Sequence, residues 1–145
     1  MIRRTVVGFI GLVLGGCMSA SQPTTGTTPA SGSIQVAAGQ NFDLKAGESA
    51  RVTGTPITVI FRSVSEDSRC PSDVQCVWAG DGAIKLGLQS TTQASQESTL
   101  HTTLDPKFVD FSGYRVKVVA LAPYPKSTSK IPAENYVVTL SVVSP

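Results

Sequence analysis

Between Ile84 and Gln89 apolar and polar side chains alternate, Ile-Lys-Leu-Gly-Leu-Gln. A period of two specifies a strand with one buried face. Ile84, Leu86 and Leu88 point one way, and Lys85 and Gln89 the other. Tyr114 to Val118 repeats the alternation. So does Tyr136 to Val142, which predicts Tyr136, Val138, Leu140 and Val142 facing inward. Ile57 to Val64 is a denser apolar run, the pattern of a central strand covered on both faces. Weaker strands are predicted at 41–44, 50–53 and 98–104. Turns are expected at Lys45-Ala46-Gly47-Glu48, Gly54-Thr55-Pro56 and Ser112-Gly113, and Pro123, Pro125 and Pro132 confine 122–132 to a connection. No segment carries a sustained helical period. About seven short strands in this spacing predict an all-β, antiparallel two-sheet sandwich, immunoglobulin-like, with a small β-barrel as the alternative.

The N-terminus has a different character. Met1 to Arg4 is short and basic, and Thr5 to Leu14 is apolar without charge. That stretch falls short of the roughly 20 residues a permanent membrane helix needs, and fits a cleaved secretory signal. Leu14-Gly15-Gly16-Cys17 resembles the lipobox of bacterial lipoproteins. The resemblance implies that residues 1–16 are removed and that Cys17 carries the lipid. It also implies that Met18, not being Asp, permits export to the outer membrane. The expected location is the bacterial cell envelope, lipid-anchored and facing the periplasm. Two or more acyl chains hold a protein stably at ~0.8 kcal/mol per buried CH₂.

Residues 19–33 contain no charge and no large apolar side chain. They read as a tether with a mean reach of roughly 20 Å. Three parts are therefore expected: a signal over 1–16, the lipidated cysteine and tether over 17–33, and one domain over 34–145. Lys and Arg number 12 against 10 Asp and Glu; Arg3 and Arg4 supply the excess, so the mature part is neutral. Nothing in that balance predicts a nucleic-acid partner.

With Cys17 given to lipid, Cys70 and Cys76 remain in an oxidising compartment and are expected to form a disulfide. The ring is small, worth roughly 2 kcal/mol by loop closure, so it sets local shape. Ser72-Asp73-Val74-Gln75 has the form of a capping box and predicts one helical turn between the cysteines. Gly80 and Gly82 suit a sharp turn into the next strand. Trp78, the only tryptophan, is expected beneath the loop or over the disulfide.

Arg69-Cys70-Pro71 followed by Cys76-Val77-Trp78-Ala79-Gly80 resembles the signature of a family of small bacterial lipoproteins and secreted proteins. The likeness extends loosely to Gly47–Ala50 and to the terminal strand from Tyr136 to Val142. The resemblance implies a fold and little chemistry.

Two readings of the loop stay open. In one, the disulfide, Arg69 and Trp78 staple a long connection, with Asp67 or Glu66 pairing with Arg69. In the other, a rigid loop presents Arg69, Asp73, Trp78 and Asp81 to a ligand, since rigidity lowers the ordering cost of binding. Asp67, Asp73 and Asp81 lack the dense spacing of a calcium loop, and no metal or other cofactor is expected.

Catalytic patterns are weak. His101 lies out of phase with Leu100, Thr102 and Leu104 and is expected to face solvent. Ser127-Thr128-Ser129-Lys130 matches Ser-x-x-Lys, but lies between prolines and lacks the companion motifs. The expectation is a protein without enzymatic activity, anchored to the membrane by its lipid and binding a protein or glycan partner. Such a module should expose an apolar or aromatic patch near the cysteine loop or near Tyr124. The alternative is inhibition of a secreted or envelope protease, with Arg69 entering the specificity pocket.

Overall fold

The computed structural model describes residues 32–145. The expected signal, the expected lipid site at Cys17 and nearly all of the expected tether lie outside the described residues. Nine strands form two sheets: β1 Ser33–Ala37, β2 Asn41–Lys45, β3 Ser49–Thr53, β4 Ile57–Asp67, β5 Gly82–Ser90, β6 Gln96–His101, β7 Phe108–Phe111, β8 Tyr114–Ala122 and β9 Val137–Val143. One sheet has the order β1-β3-β4-β5-β6 and the other β2-β9-β8-β7. No ladder joins β2 to β3 or β6 to β7 among the described residues, so the sheets form a sandwich and do not close into a barrel.

Within each sheet most neighbours are consecutive in sequence, and β2 inserts beside β9. The likeness to an immunoglobulin domain therefore lies in the two packed sheets rather than in strand order. Nine strands stand where about seven were expected. The additions are β1 and β7. β1 pairs in parallel with β3 at the sheet edge, and only Val36 of its five residues is even half-buried. An edge strand with so little buried surface gives little periodic signal.

The alternating runs supply the core as their period requires. Ile84, Leu86 and Leu88 of β5 meet Val138, Leu140 and Val142 of β9 and Val116 of β8 in one buried cluster. β4 is central, but its covering is uneven: Ile57, Val59 and Phe61 are buried, while Thr58 and Ile60 are only half-buried. Register shifts between Phe61 and Ser63, and between Val64 and Glu66, show that β4 bulges twice against β5. A further shift between Val118 and Ala120 breaks the alternation of β8. It leaves Val119 exposed and returns Leu121 to the core.

The strand pairings bring several connections to one end of the sandwich. Asp67 ends β4 opposite Gly82 of β5, and His101 of β6 lies beside Ala83. Ala122 of β8 pairs with Val137 of β9, which pairs with Lys45 of β2. The cysteine loop, the 102–107 turn and the 123–136 connection therefore share that end. The last of these contains a single 3-10 turn, Ala133–Asn135.

Candidate functional site

The base of the cysteine loop continues the β4–β5 ladder beyond the strands. Ser68 N–H donates to Asp81 O at 2.7 Å, and Cys70 N–H to Ala79 O at 3.0 Å. Gly80 makes this closeness possible. Its φ is +68°, and a Cβ there would stand 1.8 Å from the Ser68 carbonyl oxygen. Only glycine fits both conditions.

Arg69 lies in this base with 5% of its surface exposed. Its guanidinium grips Asp67 in a fork, Nε to Oδ1 at 2.8 Å and Nη2 to Oδ2 at 2.7 Å. The rest of the fork reaches the other sheet, donating to the carbonyls of Leu121 and, at 2.8 Å, Pro123. Tyr136 Oη donates to Asp67 Oδ2 at 2.9 Å, and the guanidinium carbon sits 5.1 Å from the centre of the Tyr124 ring. Burial pushes the Asp67 carboxyl up, but the bonds from Arg69 and Tyr136, with the guanidinium charge, outweigh it and hold the group below its ordinary value. Tyr136 is raised, by burial and then by its bond to Asp67. Arg69 is thus a cross-sheet staple, and Asp67 rather than Glu66 is its partner. Arg69, offered from sequence as the residue entering a protease pocket, is buried here with its donors engaged within the fold.

Asp81 performs the same service for the turn after β6. Its Oδ1 accepts from Thr103 N–H at 2.8 Å, Leu104 N–H at 3.3 Å and the Thr102 hydroxyl at 3.2 Å. His101 Nδ1 stands 2.5 Å from Oδ2. Burial opposes ionisation, yet the bonds from His101, Thr103 and Leu104 overcome it and bring Asp81 down to about 2. A carboxylate accepts only, so Nδ1 carries the hydrogen. His101 is therefore not turned to solvent as its phase in the strand predicted; Asp81 draws the ring down.

Asp73 ties the loop to the neighbouring connection, accepting from Ser127 N–H at 2.9 Å and Ser127 Oγ at 2.7 Å. These two bonds lower its pKa. Ser127, the first residue of the Ser-x-x-Lys match, is a clamp. The Cys70–Cys76 disulfide is present, with Cα atoms 5.9 Å apart. The helical turn expected between the cysteines is absent. Ser72 instead donates its N–H to Pro125 O at 2.9 Å, and Val74 N–H closes a turn onto Pro71 O at 3.3 Å. Ser72 and Asp73 are thus engaged across the loop rather than along a helix.

Trp78 departs furthest from expectation. It is neither beneath the loop nor over the disulfide: 82% of its surface is exposed, and 90% of that of Val77. Val74 and Tyr124 are exposed nearby on the same two tied segments. Of the four residues singled out from sequence, three hold the loop and one is displayed by it. Sequence reasoning passed over Val77, although an adjacent Val-Trp pair in a polar loop was the available signal. Beside the loop lies a hollow of about 190 Å³, lined among others by Arg69, Thr102, Thr103, Val119, Leu121 and Tyr124. A wider hollow of about 300 Å³ opens on the adjoining connection, lined among others by Pro123, Tyr124, Lys126 and Ile131, which reaches only the lower edge of the ~300–1,000 Å³ of ordinary small-molecule sites. Among the described residues no group of three His, Cys, Asp or Glu could hold a metal ion.

Comparison with protein-family models, curated proteins and solved structures found no match to this chain.

Proposed function

We propose that this protein is a lipid-anchored envelope lipoprotein whose β-sandwich is a non-catalytic interaction module, held by Cys17 and presenting the tip of the cysteine loop. The supporting observation is the pairing of a fixed base with an apolar tip. The outward display of Trp78 and Val77 has no packing role to explain it. A loop already ordered by Arg69, Asp81 and the disulfide loses little entropy on binding. Tryptophan is also the side chain most enriched in binding hot spots. The Leu14-Gly15-Gly16-Cys17 sequence and the uncharged stretch after it support attachment to a membrane, with the outer membrane favoured by Met18.

Two measurements test this reading in cells. A palmitate analogue should label the wild-type chain and not Cys17→Ser. A photo-cross-linking residue at position 77 should give a defined adduct, and the same residue at position 91, at the other end of β5, should give none. Labelling that survives Cys17→Ser, or identical results from both positions, would refute it.

A further inference from the structure

The route of the chain into the domain bears on what the tip meets. β1 runs parallel to β3, with Ser33 beside Ser49, and Ser49 lies beside Ile60 of β4. From that level β4 continues to Asp67 and the cysteine loop. Gly32 O accepts from Ser49 N–H at 3.2 Å, which pins the entry to the β2–β3 turn. β1 therefore runs away from the cysteine-loop end, and its first residue, Ser33, is the one nearest that end. The described chain thus enters the domain on the side where the tip is displayed.

The lengths agree. From Ile60 to Asp67 the strand advances roughly 20 Å, which sets the entry point back from the loop by about that distance. Residues 18–31 can bridge such a setback, since that number of residues spans ~50 Å when extended. A tether of that length lets the loop tip reach the surface that would hold a Cys17 lipid.

We infer that Val77 and Trp78 insert into the interfacial layer of the membrane that holds the Cys17 lipid, so that the domain sits on that membrane at two points. This rests on the anchored reading given above. Tryptophan and tyrosine favour the membrane–water interface, where an apolar ring and a polar edge are both satisfied. Charge does not obstruct the approach. Asp67 is neutralised by Arg69, Asp73 keeps its charge because its partner Ser127 is neutral, and Lys107, Lys126 and Lys130 are exposed on the adjoining connections. Glu66, Asp105 and Glu134 are exposed at this end too. No positive excess draws this end to an anionic surface, so apolar insertion carries the contact and added salt does not weaken it.

Trp78 is the only tryptophan, so its fluorescence reports the contact without an added probe. The lipidated full chain is reconstituted in phosphatidylethanolamine–phosphatidylglycerol vesicles, with and without brominated acyl chains. The expected result is blue-shifted emission, quenched by bromine, shielded from aqueous iodide and unchanged at high salt. Trp78→Phe carrying Thr91→Trp, with its indole at the opposite end, should float with the vesicles and remain unquenched. Losing a buried tryptophan should weaken a single-site vesicle contact about tenfold or more. Trp78→Ser should accordingly raise the release of the domain from vesicles after proteolysis of the tether. A lipidated protein whose Trp78 emits as an aqueous indole would overturn the inference and leave the anchor standing. Blue-shifted emission without bromine quenching would mean that the indole packs against protein, within this chain or a second copy, and would overturn the inference. An unmodified Cys17 would remove both readings.

Discussion

At the base of the cysteine loop, from Asp67 to Cys70 and from Ala79 to Gly82, charged groups are spent on the fold, whereas from Pro71 to Trp78 the largest side chains have no intramolecular partner. One guanidinium joins Asp67 to the carbonyls of Leu121 and Pro123, and one carboxylate gathers the turn at 102–104. Seven residues from Gly80, Asp73 still holds Ser127, but beyond it the chain turns Val77 and Trp78 outward. The difference shows how a small domain fixes a loop without a large core beneath it. One buried ion pair, a hydrogen-bonded carboxylate and a disulfide supply rigidity, and apolar area is left over for contact. It also implies that stability and binding should separate by position.

The sharpest way to break the comparison is at Arg69. Arg69→Met keeps an aliphatic stem but leaves Asp67, whose side chain is 9% exposed, without its counter-charge. Removing one partner of a buried pair costs about 3–5 kcal/mol, so denaturant unfolding should show a loss of that order. A loss below about 1 kcal/mol, the range of exposed ion pairs, would mean that the base is no more a staple than the tip. Gly80→Ala should follow at about 2–4 kcal/mol, because the added Cβ meets backbone and the residue holds a left-handed φ. Equilibrium unfolding of the oxidised protein checks it.

Acid should act on the base as well. Asp81 titrates at about 2 in the fold against an ordinary 3.8. Its folded value is lowered, so its contribution is full above the ordinary value and is lost as pH falls through about 2. The contribution is about 2 kcal/mol, and Asp67, lowered for similar reasons, adds in the same direction. Unfolding midpoints should therefore decline from pH 4 to pH 2. Asp81→Asn should be less stable at pH 7 and flatter across that window. An unchanged slope would show that the carboxylate does not gather the turn.

How much of this was legible depended on whether a residue's role was set by its own neighbours in sequence. The strands of the core were readable because burial repeats every second residue: Ile84, Leu86 and Leu88 declare themselves. β1 was not, since an edge strand with one half-buried side chain has no repeat to show. In the loop, the disulfide followed from the pairing of cysteines, and Asp67 was a natural partner two residues from Arg69. The acceptors at Leu121 and Pro123, and the donors at Tyr136 and Ser127, lie more than fifty residues away. They come within reach only once the two sheets are packed. The misplaced Trp78 has a related cause. Its size argued for burial, but the space beneath the loop is taken by the Arg69 fork, and nothing local announces that.

Trp78→Ser is the smallest expected effect on stability and the most informative about the tip. A residue this exposed, with no hydrogen bond to lose, should change the unfolding free energy by no more than about 0.5 kcal/mol, far below Arg69→Met. The two variants should reverse order when surface contact is measured. Arg69→Met loosens the loop but keeps the indole, so it raises the ordering cost of contact; Trp78→Ser keeps the loop and removes what it presents. If Trp78→Ser instead cost 2 kcal/mol or more, as burial of a large apolar side chain would, the indole would be packing in solution. The division between base and tip would then move to the residues beyond it, Val77 first.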